Sequence, residues 1–193
     1  LMFDPVPKRL KLGALKNCLP GFDDDAFIGI LVLDDSGSIQ SAMQDPNHKS
    51  RRISAEPAIR EGHNLFLREL RTTAAADSTL IHTMYLCTTK PVNSFALLEE
   101  AVELDDKNFV ADGASTPLYK KIAEAIGLGV AKAQELGGAK LAIIAVTDGY
   151  NNVGGITPAL EIVLDEARSV SSDPGAAQVG VIVAASRMRH PLE

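Results

Sequence analysis

Three short polar stretches hold the residues able to do chemistry: Asp34-Asp35-Ser36-Gly37-Ser38, Asp112-Gly113-Ala114-Ser115-Thr116-Pro117 and Thr147-Asp148-Gly149. They offer carboxylates and hydroxyls but no histidine and no thiol. An all-oxygen set suits a hard cation of the Mg²⁺ or Mn²⁺ type. In a tight loop after a strand, alternation lets Asp34, Ser36 and Ser38 turn their oxygens toward one point while Asp35 and Gly37 turn away, with Gly37 easing the turn. Hydroxyls bring no net charge, so a cation resting on Ser36, Ser38 and Thr116 stays electron-poor and seeks an anionic further ligand. The competing reading of the same residues is turn and helix-start capping.

The elements that must position these stretches are legible as alternating strands and helices. Phe27 to Leu33 is a continuous apolar run, the pattern of a strand buried on both faces of a parallel sheet. Ser54 can cap and Pro57 can open a helix whose inner stripe is Ile59, His63, Phe66, Leu67 and Leu70, with His63 a core histidine rather than a ligand. Thr79 to Thr88 reads as a second strand, and Val92 to Leu98 fits a short edge strand and a short helix equally. From Thr116 the residues Leu118, Ile122, Ile126, Val130 and Ala133 form one helical face that ends at Gly137-Gly138. Leu141 to Val146 is a further buried strand, Thr157-Pro158 opens another helix, and Val179 to Val183 is the last strand. This alternation predicts an α/β fold with a doubly wound, mostly parallel central sheet and helices on both faces. In such sheets ligands bind beyond the carboxyl ends of the strands, where the strand order reverses. The three polar stretches converge there if their strands are neighbours.

Composition narrows the function classes. The chain has 193 residues, one domain's worth, with 19 Lys+Arg against 25 Asp+Glu, a net charge of −6. That balance opposes nucleic acid and membrane surfaces, which both require a basic face. Cys18 and Cys87 are too few for a disulfide framework, and no apolar stretch approaches the ~20 residues of a membrane span. A cytoplasmic location is the expectation. Residues 1–25, rich in proline and lysine, read as an N-terminal arm, 26–185 as the folded domain, and 186–193 as a remnant whose Leu192-Glu193 has the form of a tag scar.

Asp34-x-Ser36-x-Ser38, Thr116 ahead of a helix and Asp148 in Thr-Asp-Gly, in that order, resemble the metal-ion-dependent adhesion site of von Willebrand factor type A domains, over roughly residues 26–184. The resemblance implies a Rossmann-like sheet of six strands with the first one central, and a divalent cation at its upper edge. It implies direct metal ligation by Ser36, Ser38 and Thr116, and action of Asp34 and Asp148 largely through waters. The remaining position takes an Asp or Glu of a protein partner. Such a domain is a recognition module and not an enzyme, and intracellular bacterial members work beside AAA-type ATPases or in stress-response systems. Two departures stand out. Ala114-Ser115 replaces the family's second glycine, leaving Ser115 a rival to Thr116, and the chain stops near Ala185, where the family adds a helix and an edge strand.

Rival chemistries fit less well. A receiver-like, Mg²⁺-dependent phosphotransfer or hydrolytic enzyme using Asp34 or Asp35 is the alternative, though Ser36 and Ser38 suit it poorly. A haloacid-dehalogenase-type phosphatase needs an aspartate at 36. Neither a Gly-x-Ser-x-Gly elbow nor a phosphate-binding Gly-Lys-Ser/Thr loop is present. Asp34, Asp35, Asp112 and Asp148 crowd the expected metal edge, so an acidic partner should be repelled until a dication offsets them.

Overall fold

Phe27–Leu33 forms β1, and each of its residues is buried. A strand enclosed on both faces has no polar side to offer, which is why its sequence lacks the usual alternation. Its alternate side chains enter two separate cores. Phe27, Leu31 and Leu33 pack with Ile59, Leu67 and Leu70, while Ile28, Ile30 and Val32 pack with Leu118, Ile122 and Ile126. The computed structural model describes residues 26–45, 47–48, 50–73, 78–136, 139–148 and 179–185. The N-terminal arm, the glycine stop at 137–138, Gly149, the helix expected from Thr157-Pro158 and the C-terminal remnant lie outside the described residues.

In chain order, β1 is followed by a 3₁₀ turn at Gly37–Ser41 and a small antiparallel hairpin of β2 (Met43–Gln44) and β3 (Arg52–Ile53). Then come α1 (Glu56–Thr73), β4 (Thr79–Tyr85), β5 (Asn93–Leu97), α2 (Leu118–Glu135), β6 (Lys140–Thr147) and β7 (Val179–Ala185). The main sheet has the order β5-β4-β1-β6-β7. β4, β1, β6 and β7 run parallel, and β5 is an antiparallel edge. The protein is therefore a mixed α/β fold on a mostly parallel sheet. Among the described residues, no helix is long and apolar enough to cross a membrane.

Local chemistry explains the element limits. The Ser54 hydroxyl accepts the Glu56 N–H at 3.1 Å and starts α1. Val92 to Leu98 resolves into the edge strand β5 followed by a 3₁₀ turn at Leu98–Glu100. The strand expected to reach Thr88 ends at Tyr85 instead, because the Asp35 carboxylate captures the Cys87 and Thr88 N–H groups at 2.7 and 3.1 Å and removes them from the ladder. Gly129 lets α2 lie close on the sheet, since a Cβ there would stand 2.6 Å from the Leu141 methyl groups.

The topology fixes where the chain turns from one side of β1 to the other. From β1 it passes to β4 on one flank, and only after α2 does it return to place β6 on the opposite flank. Leu33 of β1 pairs with Val146 of β6, so Asp34 and Thr147 leave the sheet side by side.

Candidate metal centre

Asp34 is fully buried at the exit of β1. Its Oδ1 accepts the Ser36 N–H at 3.0 Å, and its Oδ2 accepts the Thr147 hydroxyl at 2.7 Å. The first bond curls the chain so that Ser36 folds back over the strand end. The second joins β1 to β6 one residue before Asp148. The Asp34 side chain is thereby fixed by two donors, and among the described residues it makes no ion pair.

The Ser36 and Ser38 hydroxyl oxygens lie 2.9 Å apart and hydrogen-bond each other. Ser36 is buried, whereas Ser38 is exposed on the 3₁₀ turn, so the pair opens outward on one side. Asp35 points elsewhere, both its oxygens spent on the Cys87 and Thr88 amides. Of the alternation expected of this loop, Ser36 and Ser38 meet and Asp35 turns away, while the Asp34 oxygens are taken by the Ser36 amide and the Thr147 hydroxyl.

The second stretch is tied on by backbone. Ser36 and Gly113 form an isolated parallel bridge, in which the Gly113 N–H donates to Asp35 O and the Gly37 N–H donates to Gly113 O, both at 2.9 Å. Gly113 is required for this approach because a Cβ there would lie 2.3 Å from Cys87 Cβ. Beyond the bridge, Asp112, Ala114 and Ser115 are exposed while Thr116 is buried, immediately before Pro117 and α2. Thr116 is thus the more enclosed of the two rival hydroxyls. Asp148 is also buried and makes interactions of its own.

All five expected residues, Asp34, Ser36, Ser38, Thr116 and Asp148, therefore sit on the segments that leave β1, enter α2 and leave β6. Hydrogen bonds join Asp34, Ser36 and Ser38 into one unit, link that unit to Thr147 beside Asp148, and reach the Thr116 loop through Gly113.

The donor set fits a small hard cation. Adjacent oxygens around an octahedral Mg²⁺ with bonds of 2.0–2.1 Å are roughly 2.8–3.0 Å apart. The two serine oxygens already stand at that spacing. Among the described residues, no three His, Cys, Asp or Glu side chains converge as a metal-holding group. The oxygens on these segments are of the hard type that Mg²⁺ or Mn²⁺ takes.

Nearby thiol chemistry is suppressed. Burial, followed by the Asp35 charge, pushes the Cys87 thiol up to about 12, so it stays protonated and unreactive at neutral pH.

Thr147, part of the Thr-Asp-Gly stretch, orients Asp34. Two further residues that shape the centre, Gln40 and Glu56, belong to no motif; they grip Ala111 ahead of Gly113. Their signal lay in the stretch from Leu98 to Pro117, which has no periodicity. A long irregular run inside a domain needs side chains from elsewhere to satisfy its backbone.

No family model matches the chain, and no curated protein matches it. Among solved structures it is similar to the PilB minor pilin from Streptococcus sanguinis, at 17% identity and a TM-score of 0.48, over 66% of this chain and 31% of that one. The chain thus spans about a third of the pilin's length. At that score the likeness bears on neither mechanism nor partners.

Proposed function

We propose that the protein is a von Willebrand factor type A-like recognition module of doubly wound, Rossmann-like layout, whose Mg²⁺ or Mn²⁺ centre holds an acidic side chain of a protein partner. The observation that carries the reading is the Ser36–Ser38 hydroxyl pair, 2.9 Å apart above the buried Asp34 where β1 and β6 leave the sheet. Ser36, Ser38 and Thr116 would hold the ion, with Asp34 and Asp148 acting through the hydroxyls and water. When bound, the ion supplies positive charge at an otherwise acidic edge and an acceptor for a carboxylate oxygen.

The chain's own residues do the remaining work. Asp34 fixes Ser36 through its amide and shares Thr147, so the loop is preorganised. Asp35 anchors the exit of β4. Exposed Ser38 leaves the outer side open to a partner. Preorganisation of this kind lowers the ordering cost of binding.

Each of the four carboxylate oxygens of Asp34 and Asp35 accepts a hydrogen bond, so both side chains are held in place. Calorimetry with Mg²⁺ and Mn²⁺ on the wild type and on Ser36→Ala/Ser38→Ala tests the reading, with uptake expected only in the wild type. Equal uptake by both, or none by either, overturns it. Labelling of an aspartate by acetyl phosphate would favour the enzyme reading instead.

A further inference from the structure

The segment from Leu98 to Gly113 has little regular structure, yet side chains from four other elements occupy its backbone at regular intervals. Arg71 donates to the carbonyls of Leu98 and Ala101 at 3.2 and 2.7 Å. Asn93 pairs with both the N–H and the C=O of Val102, and Asn64 does the same at Leu104. Tyr85 donates to Asn108 O, and Arg60 to Phe109 O. At Ala111 the grip is two-sided: the N–H donates to Glu56 Oε1 at 2.6 Å and the C=O accepts from Gln40 Nε2 at 2.8 Å. Glu56, Arg60 and Asn64 recur every four residues, one stripe of α1 laid along the segment.

This seam ends at the metal loop. Gln40 belongs to the same 3₁₀ turn as Ser38, and Gly113, two residues past Ala111, bridges to Ser36. Fixing Ala111 therefore fixes the start of the short run that delivers Thr116. Glu56 is suited to the task because it sits in the first turn of α1, where the helix dipole favours a carboxylate. Its bond to Ala111 is charge-assisted and correspondingly strong.

We propose that Glu56 is a positioning residue for the metal centre: through Ala111 it sets the register in which the Gly113–Thr116 loop meets Ser36 and Ser38, and so sets metal affinity from outside the ligand shell. The proposal rests on the reading of the centre given above. It separates Glu56 from a helix-start acid of purely local effect, because Glu56→Gln keeps an acceptor for the Ala111 N–H whereas Glu56→Ala removes it.

Two measurements on the full chain test it. The first is amide hydrogen exchange over residues 108–117 in EDTA, which is independent of metal. Glu56→Ala should speed exchange there, and Glu56→Gln should leave it close to wild type. The second is Mn²⁺ affinity by calorimetry. Loss of one charge-assisted hydrogen bond from the preorganised loop predicts roughly ten-fold weaker binding for Glu56→Ala, with less than about three-fold for Glu56→Gln. Wild-type Mn²⁺ affinity in a folded Glu56→Ala protein overturns the proposal alone, as does equal weakening by Glu56→Gln. Absence of Mn²⁺ uptake by the wild type overturns the reading of the centre, and the proposal with it.

Discussion

Gly113→Ala is the sharpest structural perturbation available near the centre. The added Cβ would stand 2.3 Å from Cys87 Cβ, 2.6 Å from Cys87 Sγ and 3.1 Å from Asp35 O. Carbon atoms in contact prefer about 3.5–4.0 Å, so the loop must retreat by roughly 1 Å or more. Gly113 also makes two backbone bonds of 2.9 Å, to Asp35 O and from Gly37 N, and neither survives such a shift. Two lost hydrogen bonds at about 1 kcal/mol each, with about 1–3 kcal/mol of overpacking, predict a loss of about 3–5 kcal/mol. Urea unfolding in EDTA measures this directly. The identity of the clashing atoms supplies the control. Cys87→Ala removes only the sulfur and leaves Cβ at 2.3 Å, so it should not rescue Gly113→Ala. Cys87→Gly removes both atoms and should recover most of the loss relative to the Cys87→Gly single variant. Displacement of the loop should also speed alkylation of the otherwise unreactive Cys87 thiol. A Gly113→Ala protein within about 0.5 kcal/mol of wild type, or equal rescue by Cys87→Ala, refutes the packing argument.

Two further predictions follow from the buried polar groups. Asn64 serves both backbone groups of Leu104 and the His63 ring, so Asn64→Ala strands buried partners and should cost about 2–4 kcal/mol in urea unfolding, with the fastest-exchanging amides between 101 and 111. Burial holds both His63 and His82 below the ordinary 6.5. The folded state therefore stays neutral where the unfolded chain takes up protons, and stability is complete above about pH 6.5 and falls as pH drops below it, by at most about 1.4 kcal/mol per unit for each histidine. His82 packs on Phe95 with ring centroids 4.6 Å apart, and among the described residues its buried Nδ1 has no hydrogen-bond partner, so His82→Leu should reduce the fall between about pH 7 and pH 5.5. An unchanged pH slope in that variant assigns the effect elsewhere.

The contrast between β1 and the 98–113 segment explains what could be read from sequence. β1 and β6 announce themselves because burial on both faces demands unbroken apolar runs, and their observed limits match the runs to within a residue at each end. The start of α1 was legible in Ser54 because capping is local. Asp34, Ser36 and Ser38 share a loop, so their spacing alone was enough to expect the serine side chains on one side of it, where their hydroxyls meet. β5 resisted assignment because its pattern is broken: Phe95 adopts φ 51°, and the register slips between Ile81 and Thr83. The early end of β4 depends on Asp35, 52 residues from Cys87 in sequence. Likewise, Glu56 and Gln40 reach Ala111 across 55 and 71 residues. No periodicity records such pairings, since each uses a single polar side chain on a distant backbone group. The residues proposed as ligands are thus written as a motif, whereas those proposed to position them are scattered.

An anomalous difference map from a crystal grown or soaked with Mn²⁺ shows directly whether the serine pair holds a cation. A cation held by the serine pair gives a peak about 2.1 Å from both the Ser36 and Ser38 hydroxyl oxygens, with the 2.9 Å separation of those oxygens essentially unchanged. A map with full Mn²⁺ access and no peak there, or with the ion on Asp35 in place of the serine pair, contradicts the proposed centre.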